Sequence, residues 1–133
     1  HRTIKEYSMK LSYVIIYVDD VAKALEFYDK AFGMKTKFLH ESGTYGETES
    51  GETVLAFAHN DMLKMHTGLE ALKGPKRGFE IAFTADDVEK SFSLAVESGC
   101  GPLVQPSKKP WGQTVAYVQD PFGTIVEICT PMA

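Results

Sequence analysis

The stretch Tyr13-Val14-Ile15-Ile16-Tyr17-Val18-Asp19-Asp20-Val21, continuing to Phe32-Gly33, decides the fold. The run from Leu11 to Val18 is β-branched and aromatic, as a strand requires, and Asp19-Asp20 stops it. Val21, Ala24, Leu25, Tyr28 and Phe32 then recur at helical spacing. Asp20 is placed to accept from the free N–H groups of the first helical turn, and Gly33 suits the left-handed residue after the last one. Lys35–His40, Tyr45–Glu49 and Glu52–Ala58 follow as strands, separated by the turn pairs Ser42-Gly43 and Ser50-Gly51. The unit is βαβββ.

The same grammar returns from Phe79. A strand over Phe79–Thr84 leads to the caps Asp86-Asp87, then to a helix carrying Val88, Ser91, Phe92 and Ala95 on one side, and to Gly99 as its stop. Asp19-Asp20-Val21 matches Asp86-Asp87-Val88 at a spacing of 67 residues, and Tyr45-Gly46-Glu47-Thr48 matches Trp111-Gly112-Gln113-Thr114 at 66. A tandem duplication organises the chain into a first module over 11–59, a connecting helix and linker over 60–78, and a second module over 79–131. Asn60–Leu72 reads as the helix, packed through Met62, Leu63, Met65, Leu69 and Leu72. Lys73-Gly74-Pro75-Lys76-Arg77-Gly78 reads as a basic, solvated linker.

At 133 residues, 44% hydrophobic and 24% charged, the composition is that of one soluble domain, which excludes disorder, collagen and fibre. Fourteen basic against 18 acidic side chains leave a net charge of −4, without the excess that a nucleic-acid partner demands. No apolar run approaches the roughly 20 residues that cross a bilayer, so no membrane partner and a cytoplasmic location are expected. Cys100 and Cys129 form no CxxC pair and read as free thiols. Residues 1–8 are expected to be a tag remnant or an upstream extension, with Met9 as the native start and 9–132 as the domain.

A four-stranded unit with one helix cannot seal both of its faces, so two units must pair around a shared cavity. Alternation sorts the strands: Val14, Ile16 and Val18 belong under the helix, as do Phe79, Ile81 and Phe83, which sends Tyr13 and Glu80 to the open face. In Thr124–Thr130 the open-face set is Ile125, Glu127 and Cys129, and the counterpart of Glu127 in the first module is Ala56. Glu80 and Glu127 each need a partner, solvent or a task, and a cavity excluding water would raise at least one carboxyl pKa. Tyr13, Tyr17, Tyr45, Trp111 and Tyr117 can supply flat walls with polar handles, Trp111 standing as the counterpart of Tyr45. His40, His59 and His66 fall outside the open-face positions.

The duplication, the Val18-Asp19-Asp20-Val21 to Phe32-Gly33 run, and the ending Asp120-Pro121-Phe122-Gly123-Thr124 to Glu127 resemble the vicinal oxygen chelate superfamily. That superfamily includes glyoxalase I, bleomycin-resistance-type binding proteins of antibiotic resistance, extradiol dioxygenases and fosfomycin-resistance thiol transferases. The resemblance implies an α+β fold of tandem βαβββ modules forming a cup-shaped mixed β-sheet with helices outside, and a homodimer in which units of two chains complete each cup. It also implies a divalent metal on four positions, which here are Tyr13, Ala56, Glu80 and Glu127. Ala56 has no donor and Tyr13 is a weak one, leaving Glu127 and Glu80 as the oxygen ligands.

Two functions follow. One is a small-molecule binding protein of the bleomycin-resistance type that holds an aromatic or cationic compound and uses no cofactor, with Tyr13, Tyr17, Tyr45, Ala56, Glu80, Trp111, Tyr117 and Glu127 lining the site. The other is a divalent-metal glyoxalase or isomerase with Glu80 and Glu127 as its catalytic and metal-binding residues.

Overall fold

The computed structural model describes residues 9–132. The elements run β1 (Tyr13–Val18), α1 (Val21–Phe32), β2 (Thr36–Leu39), β3 (Tyr45–Thr48), β4 (Val54–His59), α2 (Asn60–Thr67), β5 (Lys76–Thr84), α3 (Val88–Ser98), β6 (Gly101–Lys108), β7 (Thr114–Gln119) and β8 (Thr124–Cys129). Residues 1–8, where a tag remnant or extension is expected, lie outside the described residues. The strands form two four-stranded sheets of identical order, β1-β4-β3-β2 and β5-β8-β7-β6. In each, the first and last strands of the module run parallel and the other neighbours antiparallel. This is the duplicated α+β architecture expected from the repeat.

The helix ends obey their local chemistry. Asp20 Oδ1 accepts from the Lys23 N–H at 3.0 Å, and Asp87 Oδ1 accepts from the Lys90 N–H at 3.0 Å. Gly33 closes α1 in the left-handed region at φ 69°. Helix α1 buries Val21, Ala24, Leu25 and Tyr28 on the first sheet, and α3 buries Val88, Phe92 and Ala95 on the second. Gly46 lets β3 pass beneath α1, since a Cβ there would stand 2.5 Å from Leu25 Cδ1 and 3.1 Å from the Phe38 carbonyl oxygen.

The two helices also pack on one another, so the modules meet through their helix sides. At this seam Tyr28 is 0% exposed, and its ring lies 4.8 Å from that of Phe57. Phe32 reaches across to Phe83 at 5.1 Å, and Phe27 meets Phe122 edge-on at 5.9 Å. The Tyr28 hydroxyl donates to Asp120 Oδ2 at 2.5 Å, while Asp120 Oδ1 accepts from the backbone N–H groups of Phe122 and Thr124. Burial, and then the charge of Asp120, push the Tyr28 hydroxyl well above its ordinary pKa, so it stays a donor.

Three expectations change. Helix α2 stops at Thr67 rather than Leu72, because Gly68 adopts φ 79° and its N–H caps the Lys64 carbonyl. None of its residues is buried, and Met65, Leu69 and Leu72 are exposed rather than packed. Strand β5 begins at Lys76, whose N–H donates to the Gly123 carbonyl at 2.8 Å, so part of the expected linker is sheet and Lys76 is buried. A register shift between Lys76 and Ile81 follows, and Phe79 is left exposed, with Ile81 and Phe83 forming the helix-side row.

Replacing Tyr28 with Phe removes the inter-module hydrogen bond and strips a buried carboxylate of one partner. Urea denaturation should show a loss of about 1–3 kcal/mol with native secondary structure retained; unchanged stability would show that the bond does not hold the seam.

Candidate functional site

In the second module Ala82 of β5 lies beside Glu127 of β8, and Tyr117 of β7 lies opposite Glu127 on the other flank. Alternation therefore gathers Glu80, Ala82, Tyr117, Glu127 and Cys129 on the face turned away from α3. The Tyr117 hydroxyl donates to Glu127 Oε1 at a long 3.5 Å. Hydrogen bonding to Glu127, with burial and charge repulsion behind it, pushes the Glu80 carboxyl above the usual carboxylate range. The Tyr117 hydroxyl and the Cys129 thiol are also pushed up, by burial first and then by their interactions with these acids. Both groups therefore hold their protons more tightly than they would in water.

In the first module Ile15 of β1 lies beside Ala56 of β4, Tyr45 of β3 lies opposite Ala58, and Glu47 opposite Ala56. Tyr13, Tyr17, Tyr45 and Ala56 thus share the open face, and Tyr13 is 52% exposed. Glu47, which the sequence reading did not select, joins them. It is only 8% exposed, and Oε2 accepts from the Tyr45 hydroxyl at 2.7 Å. Burial and this carboxylate drive the Tyr45 hydroxyl above its ordinary pKa. Phe38 flanks Tyr45 with ring centroids 6.0 Å apart.

Strand register corrects one equivalence. With Ala56 matching Glu127, the partner of Glu47 in the second module is Tyr117, and that of Tyr45 is Val115. Trp111, matched to Tyr45 by the Gly-containing tetrapeptides, lies instead in the turn before β7. It is 60% exposed there, and its Nε1 donates to Gln113 Oε1 at 2.8 Å. Trp111 is the one expected site residue placed outside the two strand faces.

The two sheets are separate within one chain: no strand of one pairs with a strand of the other, and no hydrogen bond joins the Glu80–Tyr117–Glu127 group to the Tyr45–Glu47 group among the described residues. The four positions of the implied metal set are split accordingly, Tyr13 and Ala56 on one sheet, Glu80 and Glu127 on the other. Among the described residues no three of His, Cys, Asp and Glu converge as a metal-holding group. The donors do not fit a four-ligand centre, since one position is a methyl group and another a phenol.

Duplicated βαβββ sheets with open faces of this kind define a fold shared with known proteins. Residues 11–133 match the glyoxalase-like domain family, and the chain belongs to it. An uncharacterized protein, YraH of Bacillus subtilis (strain 168), is 28% identical over 124 residues, covering 90% of this chain and 97% of the relative. The crystal structure of a glyoxalase/bleomycin resistance protein/dioxygenase family enzyme from Burkholderia phytofirmans PsJN superposes with TM-score 0.78 at 22% identity, over 92% of this chain and 98% of that one. A glyoxalase-related enzyme from Fulvimarina pelagi gives TM-score 0.81 at 22% identity, over 92% and 88%. These likenesses establish the fold. No helix among the described residues is long and apolar enough to cross a membrane.

The acid pair has a titration signature. Carbon-detected NMR of the glutamate carboxyls should place the Glu80 midpoint above the unperturbed 4.5 and bring it down in Glu127→Gln. Because the folded-state value is raised, the folded protein holds the extra proton between the two midpoints, and this group's contribution to stability falls as pH rises through that window. A Glu80 midpoint indifferent to Glu127→Gln would contradict the pairing.

Proposed function

We propose that the protein is a small-molecule binding protein of the bleomycin-resistance type whose ligand is a cationic aromatic compound. The observation that carries the reading is a set of three open-face acids, of which Glu47 is buried, Glu127 half-buried and Glu80 exposed, with no base paired to them among the described residues. Glu47, Glu80 and Glu127 lie on the open faces, and the ion pairs found among the described residues, His59 with Asp61 and Lys64 with Glu70, involve none of them. Tyrosine hydroxyls donate to Glu47 and Glu127, and Glu80 lies against Glu127; none of these contacts supplies a positive charge. The buried Glu47 carboxylate favours a positive partner, and Tyr13, Tyr17, Tyr45 and Phe38 offer π-faces for the same cation.

The reading includes a homodimer. Each open face is half of a cup, and a second copy that sets its first module against this chain's second would bring Glu47 and the tyrosines to Glu80 and Glu127. Tyr13, 52% exposed, and Ile15, 40% exposed, support this as apolar surface on the open face that a second copy could cover. It also includes a cytoplasmic location, with which the two free thiols, Cys100 and Cys129, agree. The metal-dependent alternative has less support, because the donor set stops at two carboxylates.

A library of cationic aromatic compounds screened by thermal shift should yield a ligand that raises the melting temperature. Its affinity should fall roughly tenfold in Glu127→Gln and in Glu47→Gln, as expected for loss of a charge-assisted contact. The absence of any such ligand, or affinity unchanged in both variants, would overturn the proposal.

A further inference from the structure

We infer that the cavity between the free edge of β1 and the connector is a second binding site, taking a single-ring aromatic carboxylate. It measures 220 Å³, and its walls come from β1, α2, the connector after Gly68 and the start of β5. A dry cavity of about 150 Å³ lined by Leu, Ile and Phe already holds benzene. The space here therefore suits one ring with a short side arm, and it falls below the roughly 300 Å³ at which pockets for larger ligands begin. Strands β1 and β5 are both edge strands, so among the described residues no further strand closes the gap between them.

The wall is apolar. Ile15, Tyr17, Leu63, Leu72 and Phe79 converge on it, and three of these are large side chains left in solvent: Ile15 at 40% exposure, Leu72 at 67% and Phe79 at 45%. Apolar side chains exposed singly are ordinary, but several exposed around one concavity mark a surface that a ligand covers. Tyr17 and Phe79 supply rings against which an aromatic ligand packs edge-on or offset.

The charges of the lining select the sign of the side arm. Glu70 is paired with Lys64 at 2.8 Å. Lys76 donates to the Tyr17 backbone carbonyl, and its charge is set against Asp120 and Asp19. Arg77 is thus the cation of this lining without a counter-charge, since no ion pair to it is found among the described residues. Its guanidinium fork matches the two oxygens of a carboxylate. The cavity borders the open face of the first module through Ile15 and Tyr17, whereas Glu47, Glu80 and Glu127 do not line it, so the site stands independently of the proposed cationic one.

The test is an amide NMR titration of the full chain at neutral pH with phenylacetate, its neutral isostere phenylacetamide and the cation phenethylamine, each up to about 10 mM, a range set by ligands of this few atoms. Phenylacetate should bind roughly fivefold more tightly than phenylacetamide, the scale of one solvent-exposed charge pair, and more tightly still than phenethylamine. Shifts should concentrate at Leu63, Ala71, Leu72 and Phe79. Arg77→Gln should bring phenylacetate down to the affinity of phenylacetamide and leave the amide unchanged, while Leu72→Gln should weaken both. Both positions are exposed, so the variants keep the fold. No binding of phenylacetate, equal binding of phenethylamine, indifference to Arg77→Gln, or shifts centred on Tyr117 and Cys129 would overturn the inference. So would a halved solution mass in Leu72→Gln, which would show that a second copy covers the cavity.

Discussion

Each module has one helix and a sheet with two faces, and everything else in this protein follows from how that shortage is met. Helices α1 and α3 cover one face apiece and then pack against each other, so the aromatic seam of Tyr28, Phe32, Phe57 and Phe83 is common to both halves. The Tyr28–Asp120 hydrogen bond lies in this seam and gives the apolar contact a direction. Asp120 is itself fixed by the turn that starts β8, so the bond couples the first helix to the strand that carries Glu127. Neither α1 nor α3 covers the remaining face of either sheet.

Those uncovered faces are not ordinary surface. They combine tyrosine rings, small residues and carboxylates, and the carboxylates have no basic side chain to meet. Glu80 responds to Glu127 by holding its proton more tightly, and Tyr117 and Cys129 hold theirs for related reasons.

Much of the fold was legible because alternation and capping are local. Tyr13 to Val18 sorted correctly by parity alone, and Asp20 and Asp87 announced their helices. Glu80 and Glu127 were reachable for the same reason. Glu47 was not, because its place opposite Ala56 is a property of strand pairing, which a linear pattern does not contain. Trp111 was misplaced by the same gap: two Gly-containing tetrapeptides look alike, yet the paired register of β7 matches β3 four residues further on. Lys76 read as linker because its neighbours are Gly, Pro and basic residues, and only the close approach of Gly123 to Gly74 shows that the segment is pressed into the interior. The exposed Met65, Leu69 and Leu72 followed from Gly68, which stopped the helix before they could share a face.

The account depends on the open faces being halves that a second copy completes. Sedimentation equilibrium on the full chain tests this most directly. A mass of about twice 14.7 kDa is predicted, and a species that stays at 14.7 kDa across the concentration range would contradict it.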